Sequence, residues 1–270
     1  MVTNAFNQAS YLAQSMLSVL TQGGPDVEYL VVDPGSTDET PEIISKFQQR
    51  FPGRIIHLKQ CDEGPADGLN QAFGRASGDI FGYLNADDFY LSECLMRAAN
   101  AAQAHPSAAA IYADGYIVNA DGKILRRVVS TKFGARRFVY GGSLVLQQST
   151  FYRAEAFREV GGFNASNKTS WDAEILLEMA MRGMELVHLP GFWSAFRIHS
   201  ASITGSQRFA EASRSTHARY FERVMGRRKT AWDRLIGEFV FTYSMLAEPR
   251  ATLMRVLDRI APPKLDVARK

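Results

Sequence analysis

The run EYLVVD, residues 28–33, lies between two segments of helical period, and that alternation constrains the fold more than any other feature. Leucine and two adjacent valines without a polar interruption suit a strand buried on both faces. Before the run, Val2 to Phe6 reads as a short strand. Leu12, Met16, Val19 and Leu20 then recur at helical spacing until Gly23-Gly24-Pro25 stops them. After the run, TPEIISKF reads as a helix, with Thr40 as cap and Pro41 at the first helical position. The pattern repeats with RIIHLK as strand, ADGLNQAFGRA as helix and DIFGYL as strand. SECLMRAANAAQAH reads as a helix opened by Ser92, and AAAIYADGYIVNADGKILRRV as strand, Asp-Gly turn, strand. Alternation sustained over about 100 residues predicts an α/β fold with a mostly parallel central sheet and helices on both faces. Ligands of such sheets bind beyond the carboxyl ends of the strands.

Acidic residues stand at those ends. Asp33 closes the second strand, and Asp87 and Asp88 follow the fourth in YLNADDFY. Two adjacent carboxylates repel each other and cost solvation energy when covered. A divalent cation relieves both costs. Hard oxygen ligands suit Mg²⁺ or Mn²⁺, which keeps waters and bridges substrate phosphates. The structural alternatives are a helix or turn cap for Asp87 and Asp88, and a turn before Pro34-Gly35 for Asp33.

Composition narrows the setting. The chain is 46% hydrophobic and 22% charged, an ordinary globular balance. No run approaches the roughly 18 apolar residues of a spanning helix. No basic segment followed by an apolar run opens the chain, so a cytoplasmic protein is expected. Cys61 and Cys94 lack metal spacing and read as packing residues in a reducing compartment. The net charge of +3 conceals an asymmetry. Residues 206–270 hold 14 Lys/Arg against 7 Asp/Glu, whereas residues 1–205 hold 17 against 21. This basic tail mixes arginines with aromatic and aliphatic residues and reads as helical. It suits either an amphipathic surface resting on anionic lipid or an appendage packed on the body or on another subunit. Nucleic acid is not an expected partner, because the basic cluster GRRKTAWDR is short and has no binding motif around it.

Several stretches, in order, resemble the inverting, GT-A-fold glycosyltransferases of family 2. They are VTNAFNQASYLAQSMLSVLTQ, EYLVVDPGSTDETPEII, DEGPADGLNQAFGRASGDIFGYLNADDFYL, GGSLVLQQSTFYRAEAFREVGGF, SWDAEILLEMAMRG and AFRIHSASIT. The resemblance covers roughly residues 2–205. It implies a Rossmann-like GT-A domain over residues 1–205 and a mainly helical extension over residues 206–270. It also implies transfer of a sugar from a nucleotide-sugar donor, UDP-linked, to a saccharide or lipid-linked acceptor, with Mn²⁺ or Mg²⁺ as cofactor. By the same resemblance, Asp33 accepts a hydrogen bond from the imide N–H of a uracil-type base. Ala5, Phe6 and Asn7 line the base and ribose pocket, and Gly64, Asp67 and Asn70 lie near it. Asn85, Ala86 and Asp87 form the DxD-type triplet, with Asp87 binding the metal. His199 touches the metal or closes over the diphosphate, and Asp172 is the general base; Arg197, which precedes His199, is read as pairing with phosphate or simply with acids. Asn85 departs from the family's first acid: it keeps an acceptor, adds a donor and removes one negative charge.

Inversion is a single displacement, so one base for the acceptor hydroxyl and one counter-charge for the leaving diphosphate suffice. A nucleotidylyltransferase would need a glycine-rich basic loop where this chain reads NAFNQAS. An NAD-binding oxidoreductase would need a G-x-G-x-x-G after a strand. A non-catalytic nucleotide-sugar- or glycan-binding protein of the same fold is the remaining alternative, and Asn85 alone supports it.

Overall fold

The computed structural model describes residues 1–200 and 210–260. The end of the AFRIHSASIT segment and residues 261–270 lie outside the described residues. Strands β1 (Val2–Asn4), β2 (Leu30–Asp33), β3 (Ile56–Lys59) and β4 (Ile80–Asn85) pair in parallel in the order β3-β2-β1-β4. Helices α1 (Ala9–Leu20), α2 (Thr40–Arg50) and α3 (Pro65–Arg75) make the crossovers. This half is the arrangement that the alternation predicts.

Beyond β4 the sheet is mixed rather than mostly parallel. β8 (Thr150–Arg153) runs antiparallel to both β4 and β6 (Ala108–Val118). β6 turns through Asn119–Lys123 into antiparallel β7 (Ile124–Val128) and pairs in parallel with the long β9 (Glu185–Arg197), which takes β5 (Phe89–Tyr90) on its other side. The reason is connective. A tight turn or a loop can return the chain antiparallel, whereas only a helical crossover enforces parallel neighbours.

Period-two alternation sorts the strands' side chains between two cores. Leu30, Val32, Phe81, Tyr83, Tyr112 and Tyr152 face α3, α6 (Ala154–Glu159) and α7 (Trp171–Met181). Val31, Leu84, Ile111, Ala113 and Phe151 face α1, α2 and α4 (Cys94–Ala104). Helices therefore cover both faces. Ser92 does not cap α4, because Glu93 holds that position in a left-handed conformation (φ 63°). Nor does the Thr40 side chain cap α2. Instead Asp38 accepts the N–H of Thr40 and the N–H of Ala9, each at 3.0 Å, so one carboxylate serves the starts of two helices.

The tail forms α8 (Ala210–Met225), α9 (Ala231–Ala247) and α10, which Pro249 opens (Pro249–Ile260). Tyr220 and Phe221 of α8 enter the core and pack near α5 (Ala135–Val139). Arg137 pairs with Glu248 at 2.6 Å, Arg127 with Asp258 at 2.8 Å and Arg250 with buried Asp114 at 3.0 Å. The tail is thus fastened to the body by ion pairs along its inner face.

Candidate active site

The register places Asn4 of β1 beside Val32 of β2 and Asn85 of β4, and Asp33 beside Lys59 of β3. The loops leaving the four parallel strands therefore open on one edge. The short turn Gln147–Ser149 and the end of β9 reach the same edge through contacts described below.

Asp33 is buried, and its two oxygens divide their work. Oδ1 accepts the N–H of Gly35 at 3.1 Å and of Ser36 at 2.8 Å, which holds the turn. Oδ2 lies 3.9 Å from His57 Nε2. Nearby, Asn4 Oδ1, His57 Nε2 and both ends of the Gln60 amide are buried with no hydrogen-bond partner among the described residues. Buried polar atoms are ordinarily paired, and of these His57 Nε2 lies beside Asp33, where a polar ligand could complete it. Asn4, His57 and Gln60 escaped the sequence reading; Asn4 ends β1, Gln60 follows β3, and His57 lies beside Asp33. Ala5 is fully buried, while the Phe6 ring is 55% exposed. Asn7, at φ 50°, donates its N–H to Ser36 Oγ and accepts the N–H of Thr37 at 2.9 Å, joining the loops after β1 and β2.

Gly64 opens α3 at φ 129°, a conformation that favours glycine, and Asp67 accepts the N–H of Glu63 at 3.0 Å. Asn70 joins α3 to the loop before α7. Its amide donates to the Phe163 carbonyl at 2.7 Å and accepts the Phe163 N–H at 2.9 Å, so both ends also serve packing.

The two adjacent acids point apart. Asp88 is buried, and its Oδ1 accepts the Arg197 N–H at 2.8 Å. Its Oδ2 accepts Gln148 at 2.8 Å and Asn85 at 3.2 Å. Burial, then the neighbouring charge of Asp87, pushes its pKa well above the usual carboxylate range, and the three N–H donors oppose that push. Ala86 between them is buried. Asp87 stays partly open, with Oδ2 at 3.1 Å from His199 Nε2, and the His199 ring lies 4.9 Å from the Tyr11 ring. The opening problem of two repelling carboxylates is thus partly solved by folding one inward.

Arg197 is held by protein. Only 2% exposed, its guanidinium donates to the backbone oxygens of Asp87 (2.8 Å), Asn119 (3.2 Å) and Ala120 (2.6 Å) and to the Gln14 side chain (2.5 Å). It also lies over the Tyr11 ring at 4.6 Å. Four of its five N–H groups bond to protein. Arg197 clamps the Asp87-Asp88 turn to the loop after β6.

Asp172 sits in the first turn of α7, half-buried, and burial raises its pKa. It lines a cavity of about 140 Å³ with Phe133, Leu144, Gln147 and Tyr152. Gln147 links that cavity to the acids: it donates to the Tyr83 carbonyl at 3.2 Å and accepts from Asn85 at 3.4 Å. Neither Gln147 nor Gln148 was singled out from sequence, although both stand in the family-like GGSLVLQQSTFYR. Glu174 is a structural acid, accepting Asn167 at 2.6 Å and Asn164 at 3.2 Å. Trp193 packs against Phe151, and Trp171 against Phe163 and Tyr83.

Among the described residues no three His, Cys, Asp or Glu side chains converge as a self-sufficient metal cage. The Asp87–His199 pair still fits a hard divalent ion that takes its other ligands from water and phosphate oxygens.

Solved structures share this architecture. The mannosyltransferase PcManGT from Pyrobaculum calidifontis, in complex with GDP-Man and Mn²⁺, superposes with a TM-score of 0.64 at 18% identity, over 98% of this chain and 75% of that one. S. aureus TarS with UDP-GlcNAc gives 0.62 at 18% identity, over 98% and 76%. The fold is that of GT-A glycosyltransferases. Residues 1–161 match the sequence model of glycosyl transferase family 2, and the chain belongs to that family. A PGL/p-HBAD biosynthesis glycosyltransferase of Mycobacterium bovis is 28% identical over 63% of this chain and 65% of its own length. An uncharacterized glycosyltransferase of Nostoc sp. is 33% identical over 36% of this chain, and the match spans 30% of that protein.

Proposed function

We propose that the protein is a metal-dependent, inverting glycosyltransferase that moves a sugar from a UDP-linked donor to an acceptor hydroxyl in polysaccharide or glycan synthesis. The observation that carries this reading is the bridge through Gln147, which ties the cavity of Asp172 to the turn that presents Asp87 and His199. Base and counter-charge then act on one reacting centre.

In this reading Asp33 Oδ2 accepts the imide N–H of the base, and the neighbouring His57 Nε2 contacts another of its polar atoms. The exposed Phe6 ring stacks on it, and Gly64 leaves room for the ribose. Asp87 and His199 hold the divalent ion. When bound, that ion supplies Lewis-acid neutralisation of the departing diphosphate. Asp172 takes the proton of the acceptor hydroxyl as the new bond forms. Its raised pKa makes it a stronger base than an exposed aspartate, and the α7 N-terminus keeps its anion in reach. The apolar cavity beside it admits the acceptor, a saccharide or a lipid-linked one, and excludes competing water.

The test is calorimetric titration of the purified chain with UDP in Mn²⁺ and then in EDTA, with GDP, CDP and dTDP beside it. Metal-dependent binding of UDP above the others supports the donor class. Preference for GDP would overturn the uracil assignment, and absence of all binding would overturn the enzyme reading in favour of a glycan-binding role.

A further inference from the structure

Helix α9 is amphipathic twice over. Its inner face carries Asp233, Gly237, Val240 and Ser244. Asp233 accepts the Tyr140 hydroxyl at 2.7 Å and Ser244 accepts Arg137 Nε at 2.9 Å, while Gly237 and Val240 sit against Tyr140 and Gly142. Its outer face carries Trp232, Leu235, Ile236, Phe239, Tyr243 and Leu246. At 100° per residue these six fall within an arc of about 100°, with no charged residue among them. Trp232 is 74% exposed, Phe239 71% and Leu246 75%. Leu253 and Leu257 of the adjoining α10 are exposed as well. A soluble chain pays for such a stripe only where something covers it.

The charge around the stripe names the partner. Arg228, Lys229 and Arg234 are exposed at its amino end, and residues 206–270 carry 14 basic against 7 acidic residues. Two copies meeting through this region would bring like charges together. An anionic surface would not. Tryptophan near one end and tyrosine near the other are the side chains that settle at the water–lipid boundary. With 17 residues, α9 is about 25 Å long, and among the described residues no helix is long and apolar enough to cross a membrane. It can lie flat but not span.

We propose that α9 docks the protein onto an anionic lipid bilayer, its Trp232–Leu246 face entering the acyl boundary and Arg228 and Lys229 at its amino end lying on the headgroups. The inference stands on α9 and its neighbours and uses nothing of the donor site. Docking of this kind would hold the body against a surface from which amphipathic acceptors are presented.

The test is co-sedimentation of the full chain with vesicles of phosphatidylcholine, alone or mixed with phosphatidylglycerol. Binding to the mixed vesicles is expected, with a blue shift of tryptophan emission that Trp232→Phe removes. Phe239→Ser with Leu246→Ser should weaken vesicle affinity at least about tenfold by removing buried apolar area. Arg228→Glu with Lys229→Glu should weaken it by at least about thirtyfold at low salt. Both variants replace exposed side chains and should keep the parent's circular dichroism and nucleotide binding. Vesicle binding that is absent, or indifferent to these changes in a folded protein, overturns the proposal. So does a lipid-free dimer that Phe239→Ser dissociates, which would assign the stripe to a second copy.

Discussion

Replacing Arg197 by methionine separates a clamp from a ligand contact. The side chain is 2% exposed and donates to four protein oxygens, three of them backbone carbonyls. Methionine keeps much of the volume and removes every donor. Each orphaned acceptor costs about 1–3 kcal/mol, but water reaching the Asp87 side returns part of that, and the losses are not additive. A total near 4 kcal/mol follows, a large share of the roughly 5–15 kcal/mol that holds a domain together. At about 2–4 °C per kcal/mol for a chain of this size, the midpoint should fall by about 10 °C. Urea unfolding should be followed without nucleotide or metal, so that ligand linkage does not mask the change. Arg197→Lys should lose roughly half as much, because an ammonium keeps the charge and loses the planar fork. A phosphate-binding arginine would behave in the opposite way. Its removal would leave the unfolding midpoint within about 0.5 kcal/mol and weaken nucleotide diphosphate binding in the native protein. That second pattern would refute the clamp.

Asp172→Asn should lower turnover by about two orders of magnitude or more while UDP still binds; near-normal rates would remove Asp172 from the reaction. Burial raises the Asp172 pKa, so the folded state holds its proton more tightly than the unfolded chain does, and the ionised group costs stability above that value. The acid limb of the kcat/KM profile should therefore lie above about 4, the ordinary aspartate value, and Asp172→Asn should unfold at higher temperature near neutral pH. A limb at 4 or below, or a lower midpoint in the variant, would contradict the assignment. For Asp87→Ala, calorimetry should show nucleotide binding that no longer responds to EDTA, and an unchanged metal response would move the ion elsewhere. Glu174→Ala should cost about 3 kcal/mol in urea unfolding, since it strands the Asn164 and Asn167 amides, and a cost below about 0.5 kcal/mol would show that acid to be dispensable for structure.

The parallel half of the sheet was legible because each of its strands is an uninterrupted apolar run bounded by a helix of clear period. β5 and β8 were not, because Phe89–Tyr90 and Thr150–Arg153 are too short to show a period of their own. β9 was hidden by Pro190-Gly191, where Gly191 takes φ 136° and the register with β6 shifts around Asp114. In the site, residue type told which chemistry was present but not which way a side chain faced. Asp33 and Asp87 stand where strand ends put them. Arg197 and Asn70 looked like ligand contacts because both are polar and sit beside the motifs. Burial turned both toward protein partners: Arg197 toward three backbone carbonyls and the Gln14 side chain, Asn70 toward the Phe163 backbone. Gln147 and Gln148 had the reverse history: two neutral amides carry no signal in a sequence, yet their contacts join the acids to the Asp172 cavity.

The asparagine at position 85 follows from the same geometry. Its amide nitrogen lies 3.2 Å from Asp88 Oδ2 and 3.4 Å from Gln147 Oε1, two acceptors at once. An aspartate there would set a third carboxylate against buried Asp88, whose proton affinity is already raised by burial and by Asp87. At such a distance two like charges repel by several kcal/mol at the dielectric of a partly buried site. A donor at this position removes the repulsion and also fixes the orientation of Gln147. The charge given up by Asn85 therefore belongs to the scaffold of the turn. Asp87, the one acid of the turn that stays open, keeps its carboxylate beside His199. On this account the departure from the acidic triplet is compatible with catalysis, because the amide stabilises the same turn that presents the remaining acid.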